Sequence, residues 1–372
     1  MAEGMGKRKL DHIRICLEEE VEARGATTWL EHVWLIHQAL PEVDFGDVEL
    51  GVEFLGHRFS APIMVSAMTG GTEEAAKINA IVAEAVEELG LGMGVGSQRI
   101  ALEDPRLART FKVAREKAPT AFIMANIGYQ EVARGLPLEA LEEAISMVEA
   151  DALAIHLNPL QEVVQALEGA SGRAFLDRLA ELTDLLSVPV VVKEVGSGIS
   201  AEVARALEEA GVRAVDVAGL GGTSWAAVEH YRALEAKDGL RAKLGEVFWD
   251  WGIPTAASIL EVACSTGLEV IASGGVRTGL DVAKCLALGA DMAAMALPVL
   301  KEAVRGPGAV REFLKTVIEE LRTAIFLSGC RSPRDLAKAP LVITGPLADW
   351  VRARGLEAGR RGRIRPSLWP PS

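Results

Sequence analysis

Nine consecutive residues, Ala154-Ile155-His156-Leu157-Asn158-Pro159-Leu160-Gln161-Glu162, hold the densest set of chemically able side chains in the chain. His156 and Asn158 are two apart on an extended segment and share a face, whereas Pro159 ends the strand and lets Gln161 and Glu162 curl back over it. An imidazole, two amides and a carboxylate within seven residues can hold a diphosphate with its Mg²⁺, a hard cation suited to the oxygens of Glu162. A lone histidine is more often structural; the cluster around His156 points to a site.

Other candidates follow short apolar runs. Lys193 comes after Val188–Val192 and would extend an ammonium toward negative charge on a cofactor such as a flavin, or form a Schiff base. A rim salt bridge with Glu194 is the structural alternative. Asn126 can donate to the carbonyl of a heterocycle or simply make a turn. Gly221-Gly222 and Gly274-Gly275 let backbone N–H groups approach a phosphate, although turns use the same pairs. No GxxxxGK(S/T) segment is present to hold a nucleoside triphosphate. Near the start, Arg8-Lys9-Leu10-Asp11-His12 puts three potential cations in five residues. An exposed basic start is the plain reading, but a diphosphate site in a chain of net charge −13 needs imported positive charge.

The elements that must position these residues follow from periodicity. Eight apolar runs, Pro62–Ala67, Gly92–Gly96, Phe122–Asn126, Ala152–Leu157, Val188–Lys193, Ala214–Ala218, Val270–Ser273 and Asp291–Ala296, each precede a segment of helical spacing. Glu73–Leu89, for instance, carries Ala76, Ile78, Ile81, Val82, Ala85, Val86 and Leu89 in a helical pattern. Strands apolar at consecutive positions need cover on both faces, so an α/β fold with a closed (β/α)₈ TIM barrel is expected. A doubly wound open sheet is the rival, but it normally has fewer strands and a Gly-rich turn after the first. In a barrel the chemistry collects at the C-terminal strand ends, where this chain places Ser66–Gly71, Gly96–Arg99, Asn126, His156–Asn158, Lys193-Glu194, Gly221–Thr223 and Ser273–Gly275. Val48–Ser60, turning at Gly56-His57, is expected as a hairpin plugging the lower end. Thr223–Pro254 reads as a long loop over the site or at an interface.

The remaining composition bounds the class. The chain has 372 residues, 49% hydrophobic and 24% charged, enough for one elaborated domain over residues 1–350 with an N-terminal extension. Residues 351–372 are rich in Arg, Gly and Pro and are expected as a mobile tail. The acidic balance argues against general affinity for nucleic acid or anionic membrane, and no apolar run reaches a membrane span or a signal region. A cytoplasmic protein is expected. Cys16, Cys264, Cys285 and Cys330 are far apart, without metal-ligand spacing, and read as reduced thiols.

Taken together, RKxxH, AMTGG, GVGSQR, HLNPLQE, VxVKExGxGIS, GGTSW, DWGIPTAASI, SGGVRTGLDVAKCLALGA and MALPVL resemble the type 2 isopentenyl-diphosphate isomerases from about Arg8 to Trp350. The resemblance implies FMN at Ala67, Met68, Thr69, Ser97, Asn126, Lys193, Thr223, Gly274, Gly275, Val276, Arg277, Ala296 and Leu297. It implies substrate diphosphate at Arg8, Lys9, His12, Ser97, Gln98, Arg99 and Gln161, catalytic roles for His156, Asn158 and Gln161, and Mg²⁺ on Glu162. Two departures stand out. Val217-Ala218 replaces a hydroxyl residue that often precedes the glycine, and Gln165-Ala166-Leu167-Glu168-Gly169 replaces a QPEGD-like continuation, so no role passes to Glu168.

The family's chemistry moves a double bond between isopentenyl and dimethylallyl diphosphate. Neither allylic carbon is acidic enough for a plain carboxylate, so the resemblance implies reduced FMN as acid and base, with NAD(P)H only priming it. A homotetramer or larger assembly is also implied. The rivals are an FMN-dependent oxidoreductase of the 2-hydroxy-acid oxidase type and a non-catalytic phosphate-binding barrel. The first would bring a histidine base late in the chain, and no histidine follows His230; the HLNPLQE cluster argues against the second.

Overall fold

Eight parallel strands close into a ring in chain order: β1 (Ile63–Val65), β2 (Gly92–Gly94), β3 (Phe122–Gly128), β4 (Ala152–His156), β5 (Val190–Lys193), β6 (Ala214–Asp216), β7 (Glu269–Ala272) and β8 (Met292–Met295). β8 pairs back onto β1 through Ala293 and Ile63, so the sheet has no edge. Each of the eight coincides with one of the apolar runs to within two residues, and helices follow the strands around the outside as in a (β/α)₈ TIM barrel. The computed structural model describes residues 2–166 and 172–356, with side chains from residue 6 onward.

Six helices shape the mouth of the barrel or flank it: α1 (Ala2–Glu18), α2 (Glu73–Leu89), α3 (Pro159–Ala166), α4 (Trp225–Glu235), α5 (Gly239–Val247) and α6 (Gly345–Arg354). α2 has the expected bounds because its ends are chemically marked. The Thr72 hydroxyl accepts from the Ala75 N–H at 3.1 Å, and Gly90 adopts the left-handed conformation that stops the helix.

At the N-terminal end of the barrel, Val52–Phe54 pairs antiparallel with His57–Phe59. The turn is Leu55-Gly56, both at positive φ, one residue earlier than the expected Gly56-His57. Phe54 and Phe59 are buried against Phe122, Met64, Met124, Ile271 and Met292, a separate apolar cluster that plugs the barrel floor.

Two expectations are corrected, and one element is new. Thr223–Pro254 is not a loop but carries α4 and α5, which pack on each other and on α3. The tail does not begin at residue 351: α6 runs to Arg354, whose guanidinium binds Glu202 and the fully buried Glu261. Val33–Leu35 pairs with Leu341–Ile343, a small sheet that no apolar run announced. The segment around Glu168 and residues 357–372 lie outside the described residues. Among the described residues no helix is long and apolar enough to cross a membrane.

Candidate active site

A cavity opens at the C-terminal ends of the strands, beneath α1. Its wall includes Arg8, Lys9 and His12 from α1; Ala67, Met68 and Thr69 after β1; Ser97 and Arg99 after β2; and Asn126, His156, Asn158, Gln161, Glu162 and Lys193 from β3 to β5. Thr223, Gly274, Gly275, Arg277, Ala296 and Leu297 complete the circuit. Segments as far apart in the chain as Arg8 and Leu300 therefore meet.

Four singled-out residues, Gln98, Val276, Gly221 and Gly222, stay off the wall. Gln98 is fully buried, donating to the Ala144 carbonyl at 2.7 Å and accepting from the Asn126 N–H at 2.8 Å. It braces the end of β3 rather than facing a substrate, because the chain turns helical at Arg99. Val276 belongs to the apolar core. Gly221 and Gly222 also serve packing. A Cβ on Gly222 would lie 2.3 Å from the Gly275 nitrogen, so the absence of a side chain lets two strand-end turns meet.

Positive charge enters from α1. The Lys9 ammonium donates to the Ser97 carbonyl at 2.7 Å, and burial, aided by the charge of Arg8, pushes its pKa down to about 7. One turn on, the His12 ring meets Trp225 edge-on at 5.0 Å and bonds the Glu229 carboxylate at 2.9 Å. Burial lowers the proton affinity of His12 despite that partner. Glu229 also accepts from Arg232 at 2.5 Å and Gln161 at 3.3 Å. Burial alone would raise its pKa, but His12 and Arg232 outweigh it, and the carboxyl stays ionised below its ordinary range. Sequence reasoning missed Glu229. Its only signal was a position four residues after the tryptophan of GGTSW, in a stretch without a recognised helix.

Beyond β4, His156 Nδ1 lies 2.7 Å from Asn126 Oδ1, an arrangement that places the ring proton on Nδ1. Burial, then the charges of Lys193 and Lys9, push the imidazole down to about 3, so it is neutral at physiological pH. The Asn158 amide donates to Gln161 Oε1 and Glu162 Oε1, each at 3.0 Å, fixing the first turn of α3. Lys193 forms no side-chain pair with Glu194; its ammonium donates to the Glu194 backbone carbonyl at 2.6 Å. Arg99 is held by Glu131 at 2.7 Å and Glu103 at 3.0 Å.

Two observations bear on ligands. The Ser66 hydroxyl is buried in the cavity wall with no hydrogen-bond partner among the described residues, as expected of a donor awaiting a bound group. Among the described residues no group of three or more His, Cys, Asp or Glu side chains could hold a metal, so a cation at Glu162 would take its other oxygens from a ligand, as Mg²⁺ on a diphosphate does. The four cysteines are free and buried. Burial lifts Cys16, which lines the cavity, to about 12, so it is an inert thiol.

A family model described as FMN-dependent dehydrogenase matches residues 1–124 and 110–343. The chain is 47% identical over 349 residues to the isopentenyl-diphosphate delta-isomerase of Methanosarcina acetivorans, covering 94% of this chain and 95% of that protein. It is 50% identical over 351 residues to the protein of that name from Metallosphaera sedula, again covering 94% and 95%. Among solved structures, a mandelate oxidase with (S)-2-phenylpropionate shares the fold at a TM-score of 0.61 and 20% identity, over 92% of this chain and 98% of that one.

Proposed function

The chain belongs to the FMN-dependent, type 2 isopentenyl-diphosphate delta-isomerase family, and from that membership we propose a mechanism in which its cavity isomerises isopentenyl diphosphate to dimethylallyl diphosphate with Mg²⁺ and reduced FMN. The observation that carries the reading is the meeting of the α1 cations with the His156–Glu162 cluster at one mouth. When bound, FMN in its reduced state supplies an electron-rich ring that stabilises positive charge at a tertiary carbon and exchanges a proton with it.

The chain's own residues divide the remaining work. Ser66, Thr69, Asn126, Lys193, Thr223, the Gly274–Arg277 turn and Ala296-Leu297 hold the cofactor. Arg8, Lys9 and Arg99 neutralise the diphosphate, because His156 is neutral and presents only an acceptor at Nε2. Glu162 holds Mg²⁺ against the diphosphate oxygens. Gln161, oriented from one side by Asn158 and from the other by Glu229, faces the hydrocarbon end. α1 closes the mouth and excludes water.

Redox neutrality separates this reading from an oxidoreductase on the same barrel. Holoenzyme reduced once and kept anaerobic should convert many equivalents of isopentenyl diphosphate without further NAD(P)H, with deuterium entering product made in deuterated water. Glu162→Gln should demand more Mg²⁺ and keep its flavin. Consumption of one reductant per product, or no turnover by the reduced enzyme, returns the choice to an oxidoreductase or a binding barrel.

A further inference from the structure

Behind the part of the wall built by β5, one ammonium stands against two buried carboxyls for which the proposed reaction has no use. Lys193, Glu194 and Asp216 are only 5%, 5% and 1% exposed. Lys193 pairs in register with Asp216 on β6 and His156 on β4. Its Nζ donates to the Glu194 carbonyl and lies 3.8 Å from Asp216 Oδ2. That oxygen has no hydrogen-bond partner among the described residues, whereas Oδ1 accepts from the Ser273 hydroxyl and the Ala218 N–H. Glu194 Oε2 accepts from the N–H groups of Val195, Gly196 and Ser197 at 2.6, 2.7 and 2.5 Å. It thereby folds the loop whose Val195 and Gly196 line the cavity.

A buried carboxylate oxygen aimed at a cation but bonded to nothing is costly as mere structure. It makes sense as charge compensation. With both carboxyls ionised the cluster carries about one negative charge, and with both protonated about one positive charge, by simple counting of unit charges. Burial raises Glu194 to about 7 and lifts Asp216 above its ordinary value, with the Lys193 charge opposing both shifts. The other groups facing the cluster are the neutral His156 on β4 and the uncharged Ser273 after β7; Lys9 on α1 acts on His156.

We propose that Asp216 and Glu194 are positioning residues that set how much positive charge Lys193 presents to the cavity, and hence how strongly a bound flavin is stabilised in its reduced, anionic state. The inference rests on the reading that Lys193 faces FMN. Ionised, the two carboxyls hold that stabilisation down, and each carboxyl removed strengthens the cation.

The test is the flavin midpoint potential of holoenzyme, measured by equilibrium reduction against a reference dye. Asp216→Asn and Glu194→Gln keep side-chain volume and an acceptor oxygen while removing charge. Measured at about pH 8, where Glu194 is mostly ionised, each should favour reduced FMN about tenfold, a rise of about 30 mV for a two-electron couple. Lys193→Met should lower the potential, and in that background Asp216→Asn should retain at most half of its effect. Unchanged potentials in both amide variants, or an undiminished Asp216→Asn shift without Lys193, would overturn the proposal. So would loss of FMN from both amide variants while Lys193→Met stays loaded, since residues acting through Lys193 cannot matter more than Lys193 itself. A wild-type protein that takes up no FMN would remove the underlying reading, and the inference with it.

Discussion

Lys9 is half-buried where among the described residues no carboxylate pairs with it, and its ammonium leans on a backbone carbonyl and, at 5.2 Å, on the face of Phe111. Such a site suits a neutral amine until an anion arrives. With its pKa near 7, the free enzyme holds Lys9 charged below that pH and neutral above it. kcat/KM, which reports the free enzyme, should therefore fall as pH rises through about 7, with most of the change in KM. Lys9→Arg keeps its charge and should shift that limb well upward. Initial rates across pH for both proteins decide the matter, and an identical limb would assign it to another group. Glu229 belongs to the same scale. Its meaning lies in three partners, His12, Gln161 and Arg232, two of them 217 and 68 residues away in the chain, a distance at which no spacing rule operates.

The elements that were legible in the sequence are those whose cause is local. The strands announced themselves as apolar runs, and α2 by the helical spacing of its apolar residues from Ala76 to Leu89. α4 and α5 were not legible. α4 is weakly amphipathic, with Glu229 buried among its small residues, so the pattern that marks a surface helix is blurred where the helix serves the site. Gln98 failed for a related reason: proximity in sequence to Ser97 and Arg99 says nothing about which way the chain turns there. The hairpin shows the opposite separation of labour, because it stabilises the floor and touches nothing at the mouth. Phe54→Ala removes a ring that is 1% exposed and should cost about 3–5 kcal/mol. Urea unfolding would show a lower midpoint, while the folded fraction keeps its FMN affinity. Weakened FMN binding in folded protein would show that the floor and the mouth are coupled.

At the scale of the molecule, most of the charge that receives the substrate rides on a helix outside the barrel. Among the described side chains of α1 only Ile15 and Cys16 are buried, with Ile13 and Leu17 partly so. Much of its docking is polar, Arg14 with Glu235 and Asp11 with Arg232 on the outer side, and facing the site Lys9 with Ser97 and His12 with Glu229. The latter two join residues 88 and 217 positions apart, and closing such long loops is slow and entropically costly. On a growing chain α1 is made early, yet it must wait until most of the barrel exists before it can settle. Contacts formed last with little apolar burial are also among the first to open. Backbone amides of α1 should therefore exchange with deuterated water well before those of the barrel strands, and diphosphate substrate should slow them selectively. Equal protection in α1 and β3 without substrate would contradict this. If the difference is found, the final step of folding and the admission of each substrate molecule are the same local event, run once in assembly and reversed at every turnover.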